Sequence, residues 1–201
     1  MQLIKNFRLR VTYVKHGRLC NLSHLEITSA LERAIRRAKL PFAVTQGFSP
    51  HMKLSFGSAL PVGVGSDCEI FDVTLKDYVK AQVALEKLQE KSVCDLMPLG
   101  ATYIELKAAS ASNTFTYSKY VASYAGLIPD FEVPEQIEVK RKYKTKILNV
   151  DDYLVEMPVI DNKQIECVLK STQAGTLRID KLLESFNLGV TPLSVTRVEQ
   201  F

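Results

Sequence analysis

Between Phe7 and Tyr13 apolar and polar positions alternate. Phe7, Leu9, Val11 and Tyr13 fall on one side and Arg8, Arg10 and Thr12 on the other. That period of two predicts a half-buried β-strand. The period then changes. Ile27, Ala30, Leu31, Ala34, Ile35 and Ala38 recur at helical spacing. Ser23-His24-Leu25-Glu26 opens this helix as a capping box, with Ser23 as N-cap and Glu26 three residues on. Arg36, Arg37 and Lys39 crowd its last turn, where the helix dipole favours cations, and Pro41 prevents continuation.

Leu54–Phe56 reads as a short strand, and Cys68–Leu75 as a longer one with Phe71, Val73 and Leu75 on one face. Pro61, Gly63 and Gly65 make a turn-rich loop between them. Asp77 is placed to cap a second helix with Tyr78, Ala81, Leu85 and Leu88 along one side, and Thr102–Lys107 closes the set as a strand. This order is β-α-β-β-α-β if Phe42–Val44 or the Leu54 region supplies the second strand. After the small-residue run Ala108–Asn113, Thr114–Tyr124 is strand-like and 126–146 is irregular. Strands are predicted at Ile147–Met157, Gln164–Lys170 and Leu193–Glu199, with a helix at Thr176–Phe186. The expected fold is therefore α+β, two tandem ferredoxin-like (split β-α-β) units with antiparallel sheets. The first unit is expected at 1–107, the second, more irregular one at 114–201, and a linker at 108–113.

Charge changes this picture because it is placed unevenly. Residues 1–53 hold ten Lys/Arg against Glu26 and Glu32, a local charge of +8, whereas the whole chain is +4, so the remainder is −4. No apolar run approaches the roughly 18–20 residues needed to span a bilayer. Met1–Arg8 lacks the apolar core of a signal peptide, so a cytoplasmic protein without membrane contact is expected. The four cysteines, Cys20, Cys68, Cys94 and Cys167, form no C-x-x-C pair. Cys20 with His16 and His24 offers too few ligands for a closed zinc site, and an iron–sulfur cluster would need clustered cysteines. No metal or cofactor is expected, and Cys68 and Cys167 fall in strand-like runs as small core residues.

The most informative stretch is Thr45-Gln46-Gly47-Phe48-Ser49-Pro50-His51-Met52-Lys53. A glycine, an aromatic, a proline, a histidine and a lysine between two hydrophobic segments is the composition of a loop that grips a ligand or carries chemistry. Together with Gly17-Arg18, Leu22-Ser23-His24-Leu25-Glu26, Ala30–Ala38 and Leu40-Pro41, it resembles the radical-SAM-linked protein family. That family is a bacterial domain of unknown function fused to, or encoded beside, a radical SAM protein. Ala59-Leu60-Pro61-Val62-Gly63, Glu69-Ile70-Phe71-Asp72, Gly175-Thr176-Leu177-Arg178 and Arg197-Val198-Glu199-Gln200 agree, so the resemblance covers nearly the whole chain. Two departures stand out. Asn21-Leu22 replaces the family's Phe-Leu, and 126–137 is short and interrupted by Pro129 and Pro134 where relatives carry a helix. The resemblance implies a radical SAM protein as partner and assigns no reaction. A weaker, fold-level resemblance is to the CRISPR repeat-processing endoribonucleases.

Three functions follow as expectations. The first is a non-catalytic accessory protein that binds RNA (tRNA or rRNA) or an RNA-bound assembly. Arg8 and Arg10 would lie on the open sheet face, Arg33, Arg36 and Arg37 on the polar side of the helix, and Lys15, Arg18, Gln46 and Lys53 at loops, with Phe48 or Tyr143 stacking on bases. Against this, arginine-rich helix faces are often merely solvated. The second is a metal-independent endoribonuclease-like enzyme using His24 or His51 as acid or base and Lys53 or Arg18 on the phosphorane. The plainer reading is that a Ser-His start is pure capping and that His51 braces a turn. The third is a docking subunit anchored by Phe48, although a lone Phe beneath a turn more often packs into its own core. Lys140–Lys146 reads as an exposed, mobile basic loop. Glu69 and Asp72, three apart on a strand, face opposite sides and form no carboxylate pair; one of them is expected to pair with Arg8 or Arg10.

Overall fold

Strand β1 (Phe7–Lys15) forms where the alternation demands it, with Leu9, Val11 and Tyr13 buried. The computed structural model describes residues 6–141, 144–172 and 175–201, and among these the protein is mixed α+β with four α-helices. The chain divides into two compact units. One runs to Val62 and includes Ser66–Phe115; the other comprises Gly63–Gly65 and Thr116–Phe201.

In the first unit, α1 (His24–Arg37) follows β1, then come β2 (Leu54–Phe56), β3 (Gly65–Leu75), α2 (Ala81–Lys91), β4 (Pro98–Ile104) and the short α3 (Ala111–Thr114). All pairings are antiparallel, and the order is β4-β1-β3-β2. Leu9 lies opposite both Val73 and Tyr103, and Leu54 takes the other side of Val73. One sheet face packs on the helices through Leu9, Val11, Phe71 and Val73 against Ile27, Leu31, Ile35 and Leu88. Each such side chain contributes about 2 kcal/mol by leaving water. Ser23 caps α1 as expected. Its hydroxyl accepts from the Glu26 N–H, and the Glu26 carboxylate accepts from the Ser23 N–H at 2.8 Å.

Two expectations for this unit are corrected. The second helix starts at Ala81 rather than after Asp77. Tyr78 instead stacks on Tyr103 and meets the edge of Phe7, while the Tyr103 hydroxyl donates to the Val79 carbonyl at 2.6 Å. The closing strand is Pro98–Ile104, not Thr102–Lys107, because its register with β1 runs from Pro98 opposite Tyr13 to Ile104 opposite Arg8.

In the second unit, β5 (Tyr117–Ser123), β8 (Val159–Asp161), β9 (Gln164–Lys170) and β10 (Ser194–Gln200) pair antiparallel in the order β10-β5-β9-β8. The helix α4 (Ile179–Ser185) buries Ile179, Leu182 and Leu183. A separate hairpin joins β6 (Gln136–Arg141) to β7 (Lys144–Asn149). Here the sequence reading needs four corrections. Part of the stretch expected to be irregular, Gln136–Arg141, is β6. The strand expected over Ile147–Met157 ends at Asn149 in a 3-10 turn, Val150–Asp152. The helix begins three residues after Thr176, since Thr172 and Gly175 first exchange backbone hydrogen bonds. The basic run at 140–146 is likewise strand at Lys140 and Lys146 rather than loop; Lys142 and Tyr143 lie outside the described residues.

Candidate functional site

The Thr45–Lys53 motif forms a closed arm at the edge of the first unit. Phe42 bridges to Leu75 and Val44 to Met52, bringing the two ends of the loop together. At the neck the Thr45 N–H donates to the His51 carbonyl at 2.7 Å, and the His51 N–H donates to the Thr45 hydroxyl at 3.0 Å. Gly47 sits at φ 141°, a conformation that side-chain-bearing residues rarely adopt. Next to it, Phe48 is 111 % exposed. The expectation that Phe48 packs beneath its own turn is thus overturned. Gln46, His51 and Lys53 are exposed on the same arm. Thr45 was not a candidate, yet it clamps the neck; its signal was a hydroxyl residue at the point where the loop leaves a bridged pair.

The outer side of α1 is basic. Arg33, Arg36 and Arg37 are exposed, as periodicity demands once Ile27, Leu31, Ala34 and Ile35 are buried. The Arg36 guanidinium lies 4.9 Å from the ring centroid of Phe42, at the base of the arm. Arg37 donates to the Lys91 carbonyl at 3.0 Å. These contacts hold two arginines near the helix C-terminus. His24 stands at the other end of the helix, about 20 Å away along its axis at 1.5 Å per residue. Its ring meets Phe56 edge-on at 4.9 Å. Arg18 is exposed in the 3-10 turn Gly17–Asn21 that precedes the helix. The candidates therefore divide into an arm-and-arginine group and a group at the start of α1.

Arg8 and Arg10 belong to neither, and the expectation that they face out on an open sheet is corrected. Arg10 sits opposite Asp72 in register. Its Nε donates to Asp72 Oδ1 at 2.7 Å, while Arg8 Nη2 donates to Oδ2 at 2.6 Å. Arg8 also donates to the Ala108 carbonyl at 2.6 Å, and Arg10 to that of Ala109 at 3.2 Å. The Arg10 guanidinium lies 5.4 Å from the Phe115 ring centroid. The small-residue run thus lies over this face as part of the first unit. Asp72 is 1 % exposed and the arginines 13 % and 12 %, so these two guanidiniums neutralise a buried carboxylate.

The titratable groups elsewhere read as packing. Among the described residues, no cluster of three or more His, Cys, Asp or Glu side chains could hold a metal ion. His16 meets Asp67 at 2.6 Å. Burial pushes the Cys20 thiol up, and its Sγ donates to the Lys15 carbonyl. Cys167 is pushed up to about 12, mainly by burial. Among the described residues, no helix is long and apolar enough to cross a membrane.

A family model described as "Uncharacterized protein conserved in bacteria (DUF2344)" matches residues 8–179. No curated protein matches the chain.

Proposed function

The chain belongs to this bacterial family, and from that premise we propose that it is a non-catalytic, cytoplasmic binding protein that engages RNA or an RNA-bound assembly in the service of a radical SAM partner. The observation that carries the reading is the wholly exposed Phe48 on an arm closed at its neck by Thr45 and His51. An aromatic held out from a hydrogen-bonded neck loses little freedom on binding, and a base stacks on such a ring regardless of sequence. Arg36, Arg37 and Lys53, with Arg33 one turn away, supply the phosphate contacts, whose strength falls with salt. Arg8 and Arg10 have no part in this interface, because Asp72 holds both.

The strand order also supports reading both units as ferredoxin-like, because fourth-first-third-second recurs in β4-β1-β3-β2 and in β10-β5-β9-β8. The endoribonuclease reading has no comparable observation behind it: His24 and His51 are both exposed, and His24 meets Phe56 edge-on. One second reading has its own support: the same exposed Phe48 suits an anchor for a protein pocket, with the radical SAM protein as host.

The test is charge reversal. Arg33→Glu with Arg37→Glu should abolish retention of host RNA on a filter while the melting temperature moves by no more than a few degrees. Unchanged retention would remove RNA from this face. In parallel, loss of co-purification with the radical SAM protein on Phe48→Ala, without loss of RNA, would favour the docking reading.

A further inference from the structure

A pocket of about 450 Å³ lies wholly within the second unit, between α4, the loop that follows it and the start of β10. Leu183, Leu188, Val190, Pro192 and Val195 give it apolar walls. Backbone hydrogen bonds tie these walls down at two points. The Leu193 N–H donates to the Ser123 carbonyl at 2.7 Å, and the Tyr124 N–H donates to the Lys163 carbonyl at 2.8 Å. Asn187 at φ 51° and Gly189 at φ 69° take the left-handed conformation that these two residue types tolerate best, and so shape the loop as it leaves α4.

Tyr124 is the unusual member of the lining. It is 4 % exposed, yet its hydroxyl makes no hydrogen bond among the described residues. A buried tyrosine hydroxyl usually finds a partner, because leaving the bond unmade is unfavourable. Burial pushes this hydroxyl up, so at neutral pH it keeps its proton and offers a donor. The charges of the lining are already balanced. Its two charged residues, Asp180 and Glu184, stand four apart on α4. Arg178 donates through Nε and Nη2 to Asp180 at 2.9 and 2.6 Å, and Lys181 reaches Glu184 at 2.5 Å. Among the described residues no cation lines the pocket, so an anion finds no counter-charge there. A cation would have to compete with two existing pairs. Apolar walls, few polar groups and a volume between roughly 300 and 1,000 Å³ are the usual form of a small-molecule site.

We propose that this pocket binds an uncharged, mainly apolar small molecule whose one hydrogen-bond acceptor, a carbonyl oxygen or ring nitrogen, takes the Tyr124 hydroxyl. This goes beyond the RNA-binding reading, which rests on the first unit alone. The full chain is titrated with acetophenone, and separately with benzoate as its anionic counterpart, while the amide resonances of Gly189, Val190 and Val195 are followed. Saturable shifts with acetophenone and none with benzoate are expected. Tyr124→Phe should weaken acetophenone about tenfold without lowering the melting temperature, since the lost hydroxyl has no partner in the protein. Val190→Asp, at an exposed position, should abolish the shifts by setting a carboxylate on the wall. The proposal is overturned if acetophenone leaves those amides unmoved in the wild-type chain, if benzoate moves them equally, or if either variant binds acetophenone as the wild type does. A fall of more than a few degrees in the melting temperature of Tyr124→Phe would also overturn it, by showing that the hydroxyl serves the fold.

Discussion

In the first unit, α1 and α2 both pack on one face of the sheet β4-β1-β3-β2. In the second, the order recurs as β10-β5-β9-β8 with α4 as the one α-helix among the described residues, and the hairpin β6–β7 stands in chain order where α1 stands in the first. The difference extends to their charges. The first unit buries a carboxylate, Asp72, between two arginines. The best-defined cross-strand pair of the second, Lys119 with Glu166, leaves each side chain about a third exposed, at 35 % and 34 %. The same strand order is thus compatible with a cation–carboxylate cluster that fixes the sheet face and with one that water largely screens. It is the first unit that holds the exposed arm.

Breaking that contrast should have its largest effect at Asp72. Asp72→Asn leaves Arg8 and Arg10 facing each other without their carboxylate, and removing one partner of a buried pair costs about 3 kcal/mol. A urea unfolding midpoint should fall accordingly; an unchanged midpoint would mean that water reaches the pair. Ser23→Ala comes next, at about 1 kcal/mol for a lost helix cap. Its pH dependence sharpens the point. The Ser23 hydroxyl and backbone N–H hold the Glu26 carboxyl below its usual range. The stabilisation that follows is present at neutral pH and is lost as pH falls through the lowered value. The gap between Ser23→Ala and the wild type should therefore narrow in acid; a constant gap would assign the effect to the hydroxyl alone. Smallest is Glu166→Gln, which should leave the melting temperature unchanged within error because both partners are open to solvent.

Thiol chemistry separates the two units by rate rather than by energy. Cys94 is exposed, whereas Cys167 is buried with its thiol at about 12. A disulfide reagent at mildly alkaline pH should modify Cys94 quickly and reach Cys167 only on unfolding. Equal rates would show that the second unit opens readily.

How much was legible followed the same divide. In the first unit, local and tertiary signals agree. The Phe7–Tyr13 alternation became β1, and the capping box set the start of α1 to the residue. Even there, tertiary contacts overrode a local cue at Asp77, because Tyr78 and Val79 are taken up by Tyr103 and the helix waits until Ala81. In the second unit, β6 has only Ile137 and Val139 as apolar positions among charged neighbours, so its alternation was hidden by the basic run beside it. The site divided likewise. The sequence left Glu69 and Asp72 both open as the ion-pair partner of Arg8 or Arg10, of which Asp72 is the one, and the arm was visible as a composition. That Phe48 points away from the core was not visible, because it depends on backbone bridges between residues that no periodicity connects.

The most direct test of the binding role is ultraviolet crosslinking of the full chain to host RNA at low and high salt, followed by identification of the crosslinked peptide. A crosslink within residues 45–53 that weakens as salt rises and vanishes in Phe48→Ala is the predicted result. RNA crosslinked equally well to Phe48→Ala, or no RNA above background at either salt, would contradict it.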